Sequence, residues 1–399
     1  MTKAINSILI ITRSLPFHGL GGMEAVAWDL AREFQRAQLK VTILTTSCSN
    51  LDARNVIESV EIVCLPVKAG RYSAAWWRQT LETYEAHYQG QYDVVFSVSS
   101  GGMSIARTFH GRYEAPVFVS QAHGTTWAEI ASKVSLPNPV EWLKALYISN
   151  RLWRDRGYRH FDAIVAVGPR VFSDLSRWPS RSIIGDLPIY EISNGIDTDT
   201  FRFDANLRAK VRDAYNIPDD APLLISVSRL HAQKGVQHAL EGFARALTRN
   251  RQLRLLVVGS RPYEEALRAQ VECLDLSKAV TFTGAVIRNN LSALYSAADI
   301  LLFTTTRVEG LPLNVLEALA CSLPVIVSNH IVLQGQPHQY GVNPLAYEQV
   351  ANSILDLVKM NNHSQKTCLL NNHFWLSSTA GQYLDLFERL AEGRLGSEI

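Results

Sequence analysis

Two carboxylates stand eight positions apart in Arg307-Val-Glu-Gly-Leu-Pro-Leu-Asn-Val-Leu-Glu317, the stretch whose residue types point most directly to chemistry. The run from Ala298 to Thr305 upstream is apolar and short, as a buried parallel strand requires. A helix is predicted to begin near Pro312, because proline suits a first helical turn and Leu313, Leu316, Leu319 and Ala320 form an apolar stripe. Glu309 then lies in the junction and Glu317 inside the helix. Were the whole span helical, the two would be roughly 12 Å apart at 1.5 Å rise per residue. That separation suits two ends of one ligand, and neither a shared proton nor a compact metal cluster. The amides of Gly310, Leu311 and Leu313 would offer donors to an anion or to sugar hydroxyls. Read blandly, Glu317 is an exposed helical glutamate and Glu309 a charge stabilised by a helix N-terminus.

Cations and glycines stand at comparable junctions. Leu224-Ile-Ser-Val-Ser-Arg-Leu-His-Ala-Gln-Lys-Gly235 reads as a buried strand entering a loop that carries Arg229 and Lys234, with a helix from about Val236. Ligands of doubly wound sheets lie at the carboxyl ends of strands, where two cations could hold a diphosphate and stabilise the charge it gains as a leaving group. A solvated loop is the plainer reading. Gly21 and Gly22 follow the first strand and precede a helix, so a phosphate or sugar could approach the backbone there, although such turns are common. His123 follows Pro116-Val-Phe-Val-Ser-Gln-Ala122, at a predicted strand end, where a lone histidine can also be purely structural. Asp197-Thr-Asp199 has the spacing of a metal-binding pair, but it lies between Asn194 and Phe201 where aspartates readily cap a turn. It is read as structural, and no metal is expected.

The elements that must position these residues follow from short apolar runs alternating with amphipathic stretches, which implies α/β with parallel sheets. Predicted strands are 8–11, 41–44, 62–65, 94–97, 117–119 and 164–167, then 223–227, 255–258, 280–282, 300–303 and 325–327. A length of 399 residues exceeds one usual core, so two domains are expected, 1–190 and 191–399, with the boundary in the turn-rich segment Pro179 to Pro188. Hydrophobic content of 47% and charged content of 19% describe a globular chain. A formal charge of +2 gives no case for nucleic acid. Five cysteines without a C-x-x-C pair suit a reducing compartment, so a cytoplasmic location is expected. The apolar run Ile5 to Thr12 is too short for a signal segment or a membrane span and reads as the first strand.

Taken together, Gly21-Gly22, His123 in Gln-Ala-His-Gly, Asn194 to Phe201, Arg229 to Gly235, Gly259 and the Glu309 to Glu317 motif resemble the retaining glycosyltransferases of family 4. The resemblance covers nearly the whole chain. It implies the GT-B fold, two facing Rossmann-like domains with the active site in the interdomain cleft, and a final helix near 379–395 crossing back onto the first domain. It further implies that His123 faces the donor sugar, that Arg229 and Lys234 hold the diphosphate, and that Glu309 contacts sugar hydroxyls and Glu317 the ribose. Gly21, Gly22, Gly259, Gly310, Leu311, Leu313 and Val286, in the loop after Gly284, would complete the donor site. The implied activity is metal-independent hexosyl transfer from a nucleoside diphosphate sugar, UDP or GDP, to a hydroxyl of a glycan or lipid-linked acceptor in bacterial surface polysaccharide, lipopolysaccharide or glycolipid assembly. The leaving phosphate itself would accept the proton.

Two segments stand apart. Where the family carries a glycine-rich acidic stretch, this chain has Ile331-Val-Leu-Gln-Gly-Gln-Pro-His-Gln-Tyr340. Between Ser135 and Phe161, Trp142, Leu143, Tyr147, Trp153 and Tyr158 interleave with Lys144, Arg151, Arg154, Arg156 and Arg159. An amphipathic helix with its aromatics packed inward is the expectation; the alternative is peripheral contact with the anionic inner face of a membrane. Three rival functions remain open to such a sequence. A nicotinamide oxidoreductase is disfavoured because Gly19 to Glu24 lacks the third glycine of G-x-G-x-x-G and the second strand ends without a ribose-binding acid. A catalytically silent GT-B subunit supporting a partner and a sugar-nucleotide epimerase are the other two, separable by turnover and by acceptor dependence.

Overall fold

Strands such as Ser7–Ile11 and Leu223–Val227 are apolar along their length because helices cover both faces of a parallel sheet. The computed structural model describes residues 4–19, 22–134, 139–260, 262–307, 309–360 and 366–396. They form two compact units: residues 1–195 with 376–399, and Ile196–Trp375.

In the first unit the described residues form eight strands, ordered Arg54–Ile57, Val60–Leu65, Lys40–Thr46, Ser7–Ile11, Val94–Val98, Val117–Ala122, Ala163–Ala166 and Ile189–Glu191. All neighbours pair in parallel except Arg54–Ile57, a hairpin partner of Val60–Leu65. The expected boundary at 190 is corrected by this sheet, because Ile189–Glu191 is one of its strands and pairs with Ala163–Ala166; the units part between Gly195 and Ile196. The final helix Leu376–Gly396 belongs to the first unit, where Tyr383 and Phe387 pack against Phe34 and Phe96 at ring separations of 5.2 to 6.5 Å.

In the second unit the described residues form six parallel strands in the order Val280–Gly284, Arg254–Val258, Leu223–Val227, Ile300–Phe303, Val325–Ser328 and Gln339–Val342. Its central pair is locked at the amino ends by Asp299. Its carboxylate accepts from Arg208 Nη2, Arg212 Nη2 and the Leu223 amide, each at 2.9 Å, although Arg212 is only 1% exposed. A buried carboxylate held this way is neutralised and saturated with donors, so it fixes where both strands start and hence where their carboxyl ends emerge.

The expectation that the aromatics of 135–161 pack inward is corrected. Residues 135–138 lie outside the described residues. In the helix Pro139–Ser149, the inward contacts are made by Ala145 and Ile148 against Ile130, while Trp142, Leu143, Tyr147 and the following Trp153 are 50 to 74% exposed. Only Tyr158 of the named set packs on the main core.

Candidate functional site

In the second unit the strand Leu223–Val227 ends in a loop that must turn sharply into the helix Val236–Arg249. Gly235 makes the turn at φ +75°, where a Cβ would lie 1.8 Å from the Thr304 carbonyl oxygen, so no side chain fits. The loop is strapped to the next strand end. Gln233 O accepts from Thr305 Oγ1 at 2.9 Å and from the Thr306 and Arg307 amides, and Gly235 O accepts from Thr304 Oγ1 at 2.8 Å. Gly259 closes a third loop at φ +139°, with Ser228 O only 1.9 Å from where a Cβ would stand, and its amide donates to Gly284 O at 2.9 Å.

This strapping brings Lys234 and Glu309 together. Lys234 Nζ lies 2.7 Å from Glu309 Oε1, with the side chains 17% and 15% exposed. Such a mostly desolvated pair is held by geometry, since burial costs each charge its hydration. Thr305 Oγ1 also lies 3.4 Å from Glu309 Oε1. Arg229 is exposed and makes no ion pair among the described residues. Helix Leu313–Ala320 begins where expected, with Pro312 as its N-cap residue at ψ 111°. The amides of Gly310, Leu311 and Leu313 donate to no acceptor among the described residues, leaving three donors at the start of a helix that also begins at a strand's carboxyl end.

Glu317 is not an exposed helical glutamate. It is 3% exposed, accepts from Arg288 Nε at 2.7 Å, and lies 3.2 Å from Tyr295 OH. Burial and the neighbouring Glu317 charge push the Tyr295 hydroxyl far above its usual range, so it stays a donor. Arg288 and Tyr295 went unforeseen; an arginine shortly after Gly284 is the only signal in the sequence for either. Val286 packs partly buried on the core beside them.

The Asp197 carboxylate is occupied by its own turn, accepting from the Asp199 and Thr200 amides and from Thr200 Oγ1 at 2.9 to 3.3 Å. The divergent segment after Ser328 is held by its glutamines: Gln339 bridges the Leu333 amide and Ile331 O within it, and Gln336 ties it to Leu369 O and the Asn371 amide. Glutamine amides, which both donate and accept, hold a loop whose Ile331 and Leu333 are core residues.

In the first unit, Gly21 lies outside the described residues and Gly22 opens the helix Gly22–Arg36. His18 orders the preceding turn, with Nδ1 3.1 Å from the Leu15 amide and Nε2 3.1 Å from Thr46 O. His123 follows the strand Val117–Ala122, with Nε2 2.8 Å from Gln121 Oε1. Gln121 is buried and donates from Nε2 to Tyr383 OH at 2.7 Å, which fixes its amide so that Oε1 faces the imidazole. That arrangement places the proton on His123 Nε2 and leaves Nδ1 as an acceptor. Burial first, and then the Arg13 charge, hold the His123 pKa down at about 4, so the ring is neutral near pH 7. Beside Gly124, a cavity of about 40 Å³ is lined by Thr126, Asp155, Tyr158 and Ser180. Burial there pushes the Asp155 carboxyl up to about 6, against the hydrogen bond from Thr126 and the charges of Arg154 and Arg151.

The family model "Glycosyltransferase Family 4" matches residues 20–200, and "Glycosyl transferases group 1" matches residues 208–367. A GDP-mannose-dependent alpha-(1-6)-phosphatidylinositol monomannoside mannosyltransferase of Mycobacterium tuberculosis is 36% identical over 141 residues, 34% of this chain. The match spans 36% of that relative's length. An alpha-monoglucosyldiacylglycerol synthase of Streptococcus pneumoniae is 25% identical over 87% of this chain and 78% of its own. Sucrose-phosphate synthase from Thermosynechococcus elongatus shares the fold at a TM-score of 0.75 and 19% identity, covering 97% of this chain and 100% of that one. With two parallel-sheet α/β units of the GT-B fold and both family models matched in order along it, the chain belongs to glycosyltransferase family 4, of the group 1 type.

Proposed function

We propose that the protein is a retaining hexosyltransferase that moves a sugar from a UDP- or GDP-sugar to a hydroxyl of a glycan or lipid-linked acceptor, without a metal, in bacterial surface polysaccharide or glycolipid assembly. The observation that carries this is the Lys234–Glu309 pair at 2.7 Å, beside the unengaged amides of Gly310, Leu311 and Leu313. It offers one fixed cation, one carboxylate and several amide donors within a short span of chain, which matches a sugar diphosphate group for group. The two relatives named above, a mannosyltransferase and a glucosyldiacylglycerol synthase, support glycolipid assembly.

In this reading the bond from the anomeric carbon to the diphosphate breaks, and the acceptor oxygen bonds to that carbon on the same face. The acceptor's proton passes to the departing phosphate oxygen. Negative charge grows on the diphosphate as the bond breaks, so Lys234 and Arg229 stabilise the transition state more than the ground state. Glu309 keeps Lys234 oriented and accepts from sugar hydroxyls with its second oxygen. Glu317 takes the ribose hydroxyls while Arg288 and Tyr295 hold it in place. His123, neutral and with Nδ1 free to accept, receives a hydroxyl hydrogen from the sugar and is no general base.

Calorimetric titration with UDP-, GDP-, ADP- and dTDP-sugars in the presence of chelator tests the donor site. Selective binding that weakens in Arg229→Ala is expected. Binding only after a divalent cation is added would overturn the metal-free reading, and the anomeric configuration of the product, read by NMR, would overturn retention if inverted.

A further inference from the structure

The helix Pro139–Ser149 is apolar on two opposite faces, yet only one is covered. Ala145 and Ile148 face Ile130 in a small core of their own, and Trp127 and Leu152 close its sides. On the other face Leu143, Leu146 and Tyr147 are 68, 70 and 74% exposed, with Val140 at 56% and Trp142 at 50%. A helix apolar all round belongs in an interior or at an apolar boundary, and large contiguous apolar patches are rare on soluble monomers. Trp153 at 66% and, from a separate loop, Trp178 at 76% extend the patch; Trp178 is steadied edge-on by Trp127 at 6.0 Å.

Charge decides what the patch fits. Residues 139–160 carry Lys144, Arg151, Arg154, Arg156 and Arg159 against Glu141 and Asp155; Arg151 pairs with Glu129 at 3.7 Å and Arg159 donates to Ile183 O and Ser182 O, so Arg154 and Arg156 are the cations that matter beside the patch. Asp155 is turned into the small cavity beside Thr126. Arg156 lies over the Trp153 ring at 4.1 Å, placing a cation and an indole at one level, while Arg154 is exposed nearby. Leucines flanked by tryptophan, tyrosine and arginine are the chemistry of a bilayer interface, where apolar side chains enter the acyl region and cations meet lipid phosphates. Among the described residues no helix is long and apolar enough to cross a membrane, so contact of this kind is lateral.

We propose that the outer face of Pro139–Ser149, with Trp153, Arg154 and Arg156, docks on the surface of an anionic lipid bilayer. The surface works whatever sugar is transferred, so the test uses neither donor nor acceptor. The full chain is sedimented with vesicles of phosphatidylglycerol and phosphatidylcholine in equal parts, and with phosphatidylcholine alone. Binding to the anionic vesicles at low ionic strength is expected, at least about tenfold stronger than to the neutral ones. Leu143→Glu with Leu146→Glu should weaken it by about tenfold or more while the thermal melt stays unchanged, because both positions are exposed. Arg154→Glu with Arg156→Glu should weaken it and flatten its salt dependence. Equal sedimentation with both lipid mixtures, no binding at low salt, or unchanged binding by the leucine variant would each overturn the proposal. So would a wild-type dimer, seen by analytical ultracentrifugation, that the leucine variant alone converts to monomer, because the face would then belong to a second copy of the chain.

Discussion

Lys234 Nζ sits 2.7 Å from Glu309 Oε1, so two charges 75 positions apart in the chain are each other's principal partner. Neither can be removed without leaving the other desolvated and unmatched.

Lys234→Ala and Glu309→Ala should each abolish transfer, by about a hundredfold or more, and each should cost about 2 kcal/mol of stability, reduced from the fully buried value because the pair is partly exposed. Lys234→Ala combined with Glu309→Ala should cost less than the sum of the two single losses and recover none of the activity. Denaturant melts on the four proteins measure the coupling. Additive losses would show that the pair is not coupled, and transfer within a few-fold of wild type in either single variant would dismiss the assigned roles.

Stability against pH should show two opposing slopes. The folded pKa of His123 is lowered from 6.5 to about 4, so its contribution is present above pH 6.5 and is lost as pH falls towards 4. The folded pKa of Asp155 is raised from 3.8 to about 6, so its contribution is present below pH 3.8 and is lost as pH rises to 6. Between pH 4 and 6 the two nearly cancel. Thermal melts of His123→Asn should therefore lose stability with rising pH relative to wild type, and those of Asp155→Asn should gain it. Parallel profiles for all three proteins would mean that these two groups are not the ones titrating.

Tyr383→Phe removes the acceptor of the buried Gln121 amide and should cost about 1–3 kcal/mol. It also frees that amide to flip and present its NH₂ to His123. Nitrogen NMR of the ring reports this directly: the wild type should carry its proton on Nε2, and the variant should shift towards the other tautomer.

Gly235→Ala and Gly259→Ala should disrupt the loops at the strand ends, because the added Cβ meets a backbone oxygen at 1.8 or 1.9 Å. Gly284→Ala is the internal control: its φ is also positive, at +75°, but nothing lies within 4 Å. The first two should lose donor binding along with 3 kcal/mol or more in stability, by the roughly 3 kcal/mol upper end of backbone strain plus the clash. The control should lose only about 1 kcal/mol. Equal effects would show that φ, rather than crowding, sets the cost.

Much of the scaffold could be read before folding. Strand Leu223–Val227 coincides with its prediction residue for residue, since five consecutive apolar or small residues bounded by turn signals leave little alternative. The strands that escaped are Arg54–Ile57, Ile189–Glu191 and Gln339–Val342, short and half-exposed pieces at sheet edges. Their polar residues are supported by a neighbouring strand, which periodicity cannot register. At the site, the residue types of Lys234, Glu309 and Glu317 drew notice through their place at strand ends. Their pairing did not, because which cation meets which carboxylate is set by sheet order. Arg288 was invisible for the same reason, and Tyr383 because its partner Gln121 lies 262 positions away. Exposure of Trp142 and Leu143 reversed the natural reading of an aromatic helix: smaller residues, Ala145 and Ile148, already fill the inward contact.

The chain leaves the first unit at Gly195 and returns at Leu376, and the two passages lie side by side, with Thr379 Oγ1 donating to Ser193 O at 3.1 Å and Ile196 bridged to Trp375. During synthesis, then, the described strands of the first sheet are complete at Glu191, about 190 residues before Tyr383 and Phe387 exist. At about 5–20 residues per second this is a wait of roughly 10–40 s. Throughout it Phe34 and Phe96 lack the rings that later cover them, and Gln121 lacks the hydroxyl that orients it. The first unit to begin is therefore the last to be finished, and a ribosome stalled anywhere in the second unit displays a nascent protein with an open aromatic seam.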